Sequence, residues 1–260
     1  MHAPMFSEYL KGLIRYQKVD FESVFRDTGS VKKLEGRILV LTLYVAEHKW
    51  LVENKKKVER SIRDAEEWLE GLCMTGYGKE VRFVNSEREL TPPMEDSLSE
   101  DLLKNSYSVE AYLQILGIPA ADFRSWGKET FGCEQSLLLI VFNKEGRSYA
   151  MPDVSASLVT FTISDKPEGA YLFHSLSSPV SPTIVAHEML HLFGAMDLYE
   201  EMGSALDKER ADRIKSLYPK EIMRTTALPL DEVTVSPLTA WLVGLTEKRE
   251  DWFDVFLLSS

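Results

Sequence analysis

Two histidines four residues apart, His187 and His191, with Glu188 between them, are the side chains in this 260-residue chain best suited to chemistry. On an α-helix such a pair lies on one face, so both imidazoles can reach a single metal ion. Glu188 projects beside them, where a carboxylate can hold and deprotonate a water. Catalytic zinc usually takes three protein ligands and keeps a fourth position open, so one donor is still missing. Gly194 allows the chain to turn sharply, and Asp197, three residues on, offers a carboxylate oxygen that can return to the metal. The chemistry indicated is hydrolysis at Zn2+ held by His187, His191 and Asp197.

The pattern has to be weighed against chance, which would place H-E-x-x-H in about one chain in a hundred of this size. A second, independent signal supports it. Ser181-Pro182 is a helix start, with serine as N-cap and proline at the first helical position. The helix that follows carries Ile184, Val185, Met189, Leu190, Leu192 and Phe193, apolar nearly all round. It should therefore be buried, and buried histidine and glutamate need polar partners.

The elements that must position this helix can be read upstream. Residues 5–17 have helical apolar spacing, and 18–34 read as a connector. Arg37 to Val45 is a continuous aliphatic run, as expected of a strand covered on both faces. A long amphipathic helix is predicted over 49–72, then a strand over 79–84 and a polar loop over 85–97 that contains Pro92-Pro93. Helical segments fill about 98–131, before a third buried strand over 136–142. Residues 148–151 begin a hairpin return, and 157–163 and 169–173 are further strands. Strand, helix, strand in this order predicts an α/β fold with a right-handed crossover and a largely parallel sheet.

Composition narrows the function. A net charge of −11 with no basic stripe speaks against nucleic acid and anionic membrane as partners. No apolar run approaches the roughly twenty residues of a membrane span. The N-terminus lacks a basic region leading into an apolar stretch, which makes a cytoplasmic location the expectation. Cys73 and Cys133, 60 residues apart, are expected as buried thiols. His174 is expected to be a surface or packing histidine.

His187-Glu188-x-x-His191-x-x-Gly194-x-x-Asp197 resembles the extended motif of the metzincin clan of zinc metalloendopeptidases, with aspartate where that clan has a third histidine. In this it is similar to the snapalysin-type and immune-inhibitor-A-type variants, the latter also tending to have a tyrosine soon after the aspartate, as Tyr199 is here. The clan places a methionine turn beneath the metal, and Tyr218-Pro219-Lys220-Glu221-Ile222-Met223 looks like it, with Met223 as its methionine. A closing helix should follow, and Ser236-Pro237 repeats the Ser-Pro start.

The resemblance implies a zincin-like fold with a mixed, mostly parallel sheet and an antiparallel edge strand. Residues 1–34 would precede a catalytic domain over 35–260, divided into an upper part (35–194) and a smaller lower part (195–260). It also implies a peptide substrate laid along an edge strand near Gly169, Ala170, Tyr171, Leu172 and Phe173. Thr225 stands where several metzincins have a tyrosine that stabilises the transition state; Tyr199 and Tyr218 are the available phenols. Glu209, placed roughly as thermolysin-like enzymes place a downstream glutamate, and Asp207 are rival third ligands. Both fall on a charged stretch expected to be a solvated helix. The alternatives to a peptidase are a zinc-stabilised binding protein without turnover and a zinc hydrolase of a non-peptide bond.

Overall fold

The computed structural model describes residues 33–45, 50–90, 113, 116–119, 123–143, 145–151, 154–156, 159–161, 169–175, 177–199 and 208–253. The helix expected over 5–17, most of the connector after it, residues 98–112 of the helical insertion and Asp207 lie outside these.

A five-stranded mixed sheet forms the centre, in the order β2-β1-β3-β7-β4. Its strands are β1 (Gly36–Val45), β2 (Val81–Leu90), β3 (Gln135–Phe142), β4 (Tyr149–Met151) and β7 (Gly169–Phe173). β1 pairs in parallel with β2 and β3, and β3 with β7, while β4 runs antiparallel along β7. The expected mostly parallel sheet with one antiparallel edge strand is thus present. A separate two-stranded hairpin joins β5 (Val154–Ala156) to β6 (Val159–Phe161).

Both faces of the sheet are covered, which is why β1 and β3 read as unbroken apolar runs. Ile38, Val40, Leu137, Leu139 and Leu172 face a core shared with α1 (Val52–Tyr77) and α3 (Pro182–Leu192). Leu41, Leu43, Leu138, Ile140 and Tyr171 face the other side, where Leu113, Ile118 and the aromatic residues of α2 (Phe123–Phe131) pack. The two remaining helices among the described residues are α4 (Lys208–Leu217) and α5 (Pro237–Leu242). No described helix is long and apolar enough to cross a membrane. Cys73 and Cys133 are both buried free thiols, and burial pushes Cys73 up to about 12.

Three sequence expectations need correction. The first helix reaches Tyr77 rather than ending near residue 72, carrying Gly71 and Gly76 in its last turns before Gly78 caps it. Residues 85–90, expected in a loop, complete β2 in register with Val40–Val45. Their polar side chains are used: Lys55 bridges Glu87 and Glu89 at 3.0 Å each, and Asn85 donates to Glu66 at 2.8 Å. An edge strand need not look apolar when its charges pair with a neighbouring helix. Finally, Gly169–Phe173 is not the edge strand. It lies between β3 and β4, buried throughout, and the edge belongs to Tyr149–Met151. Three residues of mixed character carry too little alternation to reveal an edge from sequence.

Candidate metal centre

α3 begins where the sequence places its start. The Ser181 hydroxyl accepts from the Ile184 amide at 3.2 Å with Pro182 in the first turn, a cap worth about 1 kcal/mol. The helix packs against α1, and the Ser61 hydroxyl donates to the Val180 carbonyl at 3.0 Å just before it. Val185, Ala186, Met189 and Leu190 are fully buried, which fixes the rotation of the helix and so the direction of its histidines.

After Leu192 the chain reverses. Gly194 takes φ 99°, a left-handed conformation costly for any residue with a Cβ. The Ala195 amide bonds back to the Leu190 carbonyl at 3.0 Å, and the Ala195 carbonyl in turn accepts from His191 Nδ1 at 2.8 Å. The same turn therefore orients His191 and returns Asp197 to it. On the far side, His187 Nδ1 donates to the Ile222 carbonyl at 3.0 Å, and the Leu198 amide donates to the Met223 carbonyl at 2.8 Å. The fully buried Met223 thus sits in a turn that holds both a histidine and the segment bearing Asp197.

These contacts fix the tautomers. A carbonyl only accepts, so each Nδ1 carries the ring proton and each neutral Nε2 presents a lone pair. The two Nε2 atoms lie 3.2 Å apart, and Asp197 Oδ1 lies 3.3 Å from that of His187 and 3.2 Å from that of His191. Three acceptors thus face one another across a nearly equilateral triangle, and Asp197 Oδ1 is buried without a hydrogen-bond donor. A proton on His191 would satisfy one edge of the triangle; a cation would satisfy all three corners. Donors about 2.0–2.1 Å from a tetrahedral zinc stand about 3.3 Å apart, which is the spacing seen. Two imidazoles and a carboxylate are also a donor set that suits zinc. The residues fit the ion.

The electrostatics agree with this mutual dependence. Burial opposes a charged His191, but the Asp197 carboxylate outweighs it and raises the proton affinity of the imidazole, so that without a cation a proton on His191 is what satisfies one edge of the triangle. Burial likewise opposes a charged Asp197, yet the two histidines hold its carboxyl far below the ordinary carboxylate range. Burial raises Glu188, against the charges of His187 and His191, with Asp197 adding to the rise and Arg147 opposing it.

Glu188 and His187 open onto a cleft of about 510 Å³. Its lining comes from Gly146–Ser148, Phe173, the 178–180 segment, Ile184, Tyr199 and the 224–227 stretch. Of the two phenols considered in the sequence, Tyr199 lines the cleft, whereas Tyr218 stacks on Trp252 with ring centroids 5.8 Å apart. Thr225 also lines it. Of the five β7 residues, only Phe173 does. Glu209 is exposed on α4, and among the described residues the group able to hold a metal is His187, His191 and Asp197. His174 is buried against Trp50, where its Nδ1 accepts from the Val180 amide at 3.4 Å, so it serves packing.

Sequence reasoning passed over Glu221. This fully buried carboxylate accepts from the Met223 amide at 3.3 Å, the Thr239 hydroxyl at 3.0 Å and the Ser236 amide. It ties the turn that carries Ile222 to the start of α5, so it fixes the carbonyl that orients His187. Within Tyr218 to Met223 the sequence singles out Met223 alone, because a glutamate's partners 15 and 18 residues away leave no local pattern.

No family model matches the chain, and no curated protein sequence does. Among solved structures, metalloproteinase-II from Bacteroides fragilis matches over 94% of this chain and 70% of that one, at 12% identity and a TM-score of 0.39. That likeness is too loose to carry an argument about this chain. What stands on its own residues is an α/β fold with a His-His-Asp cluster able to hold a metal.

Proposed function

We propose that the protein is a zinc-dependent metalloendopeptidase in which His187, His191 and Asp197 hold the ion and Glu188 is the general base. The observation that carries this reading is the triangle of three lone-pair donors 3.2–3.3 Å apart, each ring locked by its other nitrogen. Zinc held there would supply Lewis acidity, activating a water and polarising the carbonyl it attacks. Glu188, buried beside the triangle and open to the cleft, takes the proton from that water and passes it to the leaving amine. The turn at 221–224, with Met223 as the methionine of a metzincin-like turn, keeps His187 aligned.

The substrate chain would enter along β4, the antiparallel strand at the edge of the sheet among the described residues, by adding backbone bonds from an extended peptide. The general base favours this reading over a purely structural zinc site, which closes its fourth position and has no use for one. Digestion of a mixed peptide library with the zinc-loaded chain tests it. Cleavage that a chelator abolishes and zinc restores is expected; zinc binding with every peptide intact would instead favour a binding protein or a hydrolase of another bond.

A further inference from the structure

A second hollow adjoins the cleft that Glu188 faces. It measures about 550 Å³, and Thr226 and Ala227 line both. One of its walls is the start of α3, where Thr183 stands four residues, and so about 6 Å, before His187. The stretch from Thr226 to Asp231 makes another, and α1 contributes Asp64.

These walls are held in place. The Thr183 hydroxyl donates to the Leu228 carbonyl at 2.8 Å, which ties the 226–231 stretch to α3. The Pro229 carbonyl accepts from the Glu232 amide at 3.0 Å and the Val233 amide at 3.3 Å, a tight turn that carries Asp231. Asp64 follows Ser61 by three residues, so the two share a face of α1, and Ser61 is bonded to the Val180 carbonyl just before α3.

The lining combines two chemistries. Pro182, Ala227, Leu228, Pro229 and Leu230 give it apolar surface. Asp64 and Asp231 are exposed, stand on separate elements, and have no hydrogen bond or ion pair among the described residues. An aspartate carboxylate is joined directly to its Cβ, so an aspartate in the wall carries its charge at the wall.

An apolar trough edged by two unpaired carboxylates suits a side chain with an apolar stem and a cationic head. Lysine and arginine have that form, laying the stem on apolar surface and keeping the head at the wet edge. We propose that this hollow is a subsite for a lysine or arginine side chain of the peptide, at one fixed position near the bond attacked. Asp64 and Asp231 are its specificity-determining residues. This rests on the peptidase reading.

The test uses one uncharged peptide frame bearing Lys, norleucine or Glu at each position in turn. Cleavage is measured with the zinc-loaded full chain, and binding with zinc-loaded Glu188→Gln by fluorescence polarisation of labelled peptides. At one position Lys is expected to exceed norleucine, its uncharged counterpart, about tenfold, the effect of two exposed ion pairs, with Glu the poorest. Asp64→Asn and Asp231→Asn should each remove part of that ratio, and the double variant all of it, through KM rather than kcat. Both positions are exposed, so neither substitution disturbs the core. A lysine preference of equal size at every position, untouched in the double variant, would be general attraction to the negative chain and would overturn the inference. Cleavage with no lysine preference would also overturn it and leave the peptidase reading standing. Lysine-selective binding that the double variant loses, with no cleavage, would sustain the inference and overturn the peptidase reading. Neither cleavage nor binding of any peptide would overturn both.

Discussion

Two polar clusters are joined by one turn, and their hydrogen bonding is opposite. At Glu221 a carboxylate meets three donors, from Met223, Ser236 and Thr239. At His187, His191 and Asp197 three acceptors meet one another, their own donors already spent on the carbonyls of Ile222 and Ala195. Buried polar groups are nearly always paired. The first cluster is therefore complete as it stands, and the second is complete only with something positive between its members. One turn, 221–224, links them: Glu221 fixes it, and its Ile222 carbonyl aligns His187. The saturated cluster is the support, and the unsaturated one is the site able to hold a metal.

This contrast is broken most severely at Glu188. Glu188→Ala removes the proton acceptor while leaving all three donors of the triangle, so kcat should fall by about 10²–10⁴-fold with zinc content unchanged. Steady-state kinetics beside metal analysis checks it; undiminished kcat would remove Glu188 from the mechanism.

Next comes the support. Glu221→Ala strands three buried donors and should cost about 3 kcal/mol, read from the urea midpoint. Glu221→Gln keeps one acceptor oxygen and should cost less. Equal, negligible losses would mean that the cluster does not hold the turn.

A third buried carboxylate sharpens the same point, because it is only half satisfied. Glu66 accepts from Asn85 through one oxygen, and its other oxygen is buried without a partner. Burial, countered by the Asn85 bond, lifts it from 4.5 to about 7. The folded state thus holds the proton more tightly than the unfolded chain does. Stability from this group is fully present below about pH 4.5 and lost as pH rises through about 7. The loss is on the order of 3 kcal/mol by pH 8. Urea midpoints between pH 5 and 8 should fall in the native chain, and the fall should flatten in Glu66→Gln. A slope unchanged by the substitution would assign the effect elsewhere.

Legibility followed the range of each interaction. Ser181-Pro182 and Ser236-Pro237 announce helices because a cap acts within three residues, and both serines accept the expected amide. The i, i+4 histidines and the return at Gly194 are local geometry too, so the sequence foreshadows the triangle. Glu221 was hidden, since its role comes from residues that only folding brings near, Ser236 and Thr239. The order of the last two sheet strands was hidden for the same reason. A parallel β7 could pair on either side, and the three-residue β4 left too short a pattern to claim the edge.

The central claim, that the triangle is a zinc site closed by Asp197, is tested most directly by metal content and affinity of the full chain, Asp197→Ala and Glu209→Ala. One zinc per native chain is predicted, with affinity reduced at least about a hundredfold in Asp197→Ala and unchanged in Glu209→Ala. A native chain that takes up no zinc, or an Asp197→Ala variant that binds it as tightly, would contradict the account.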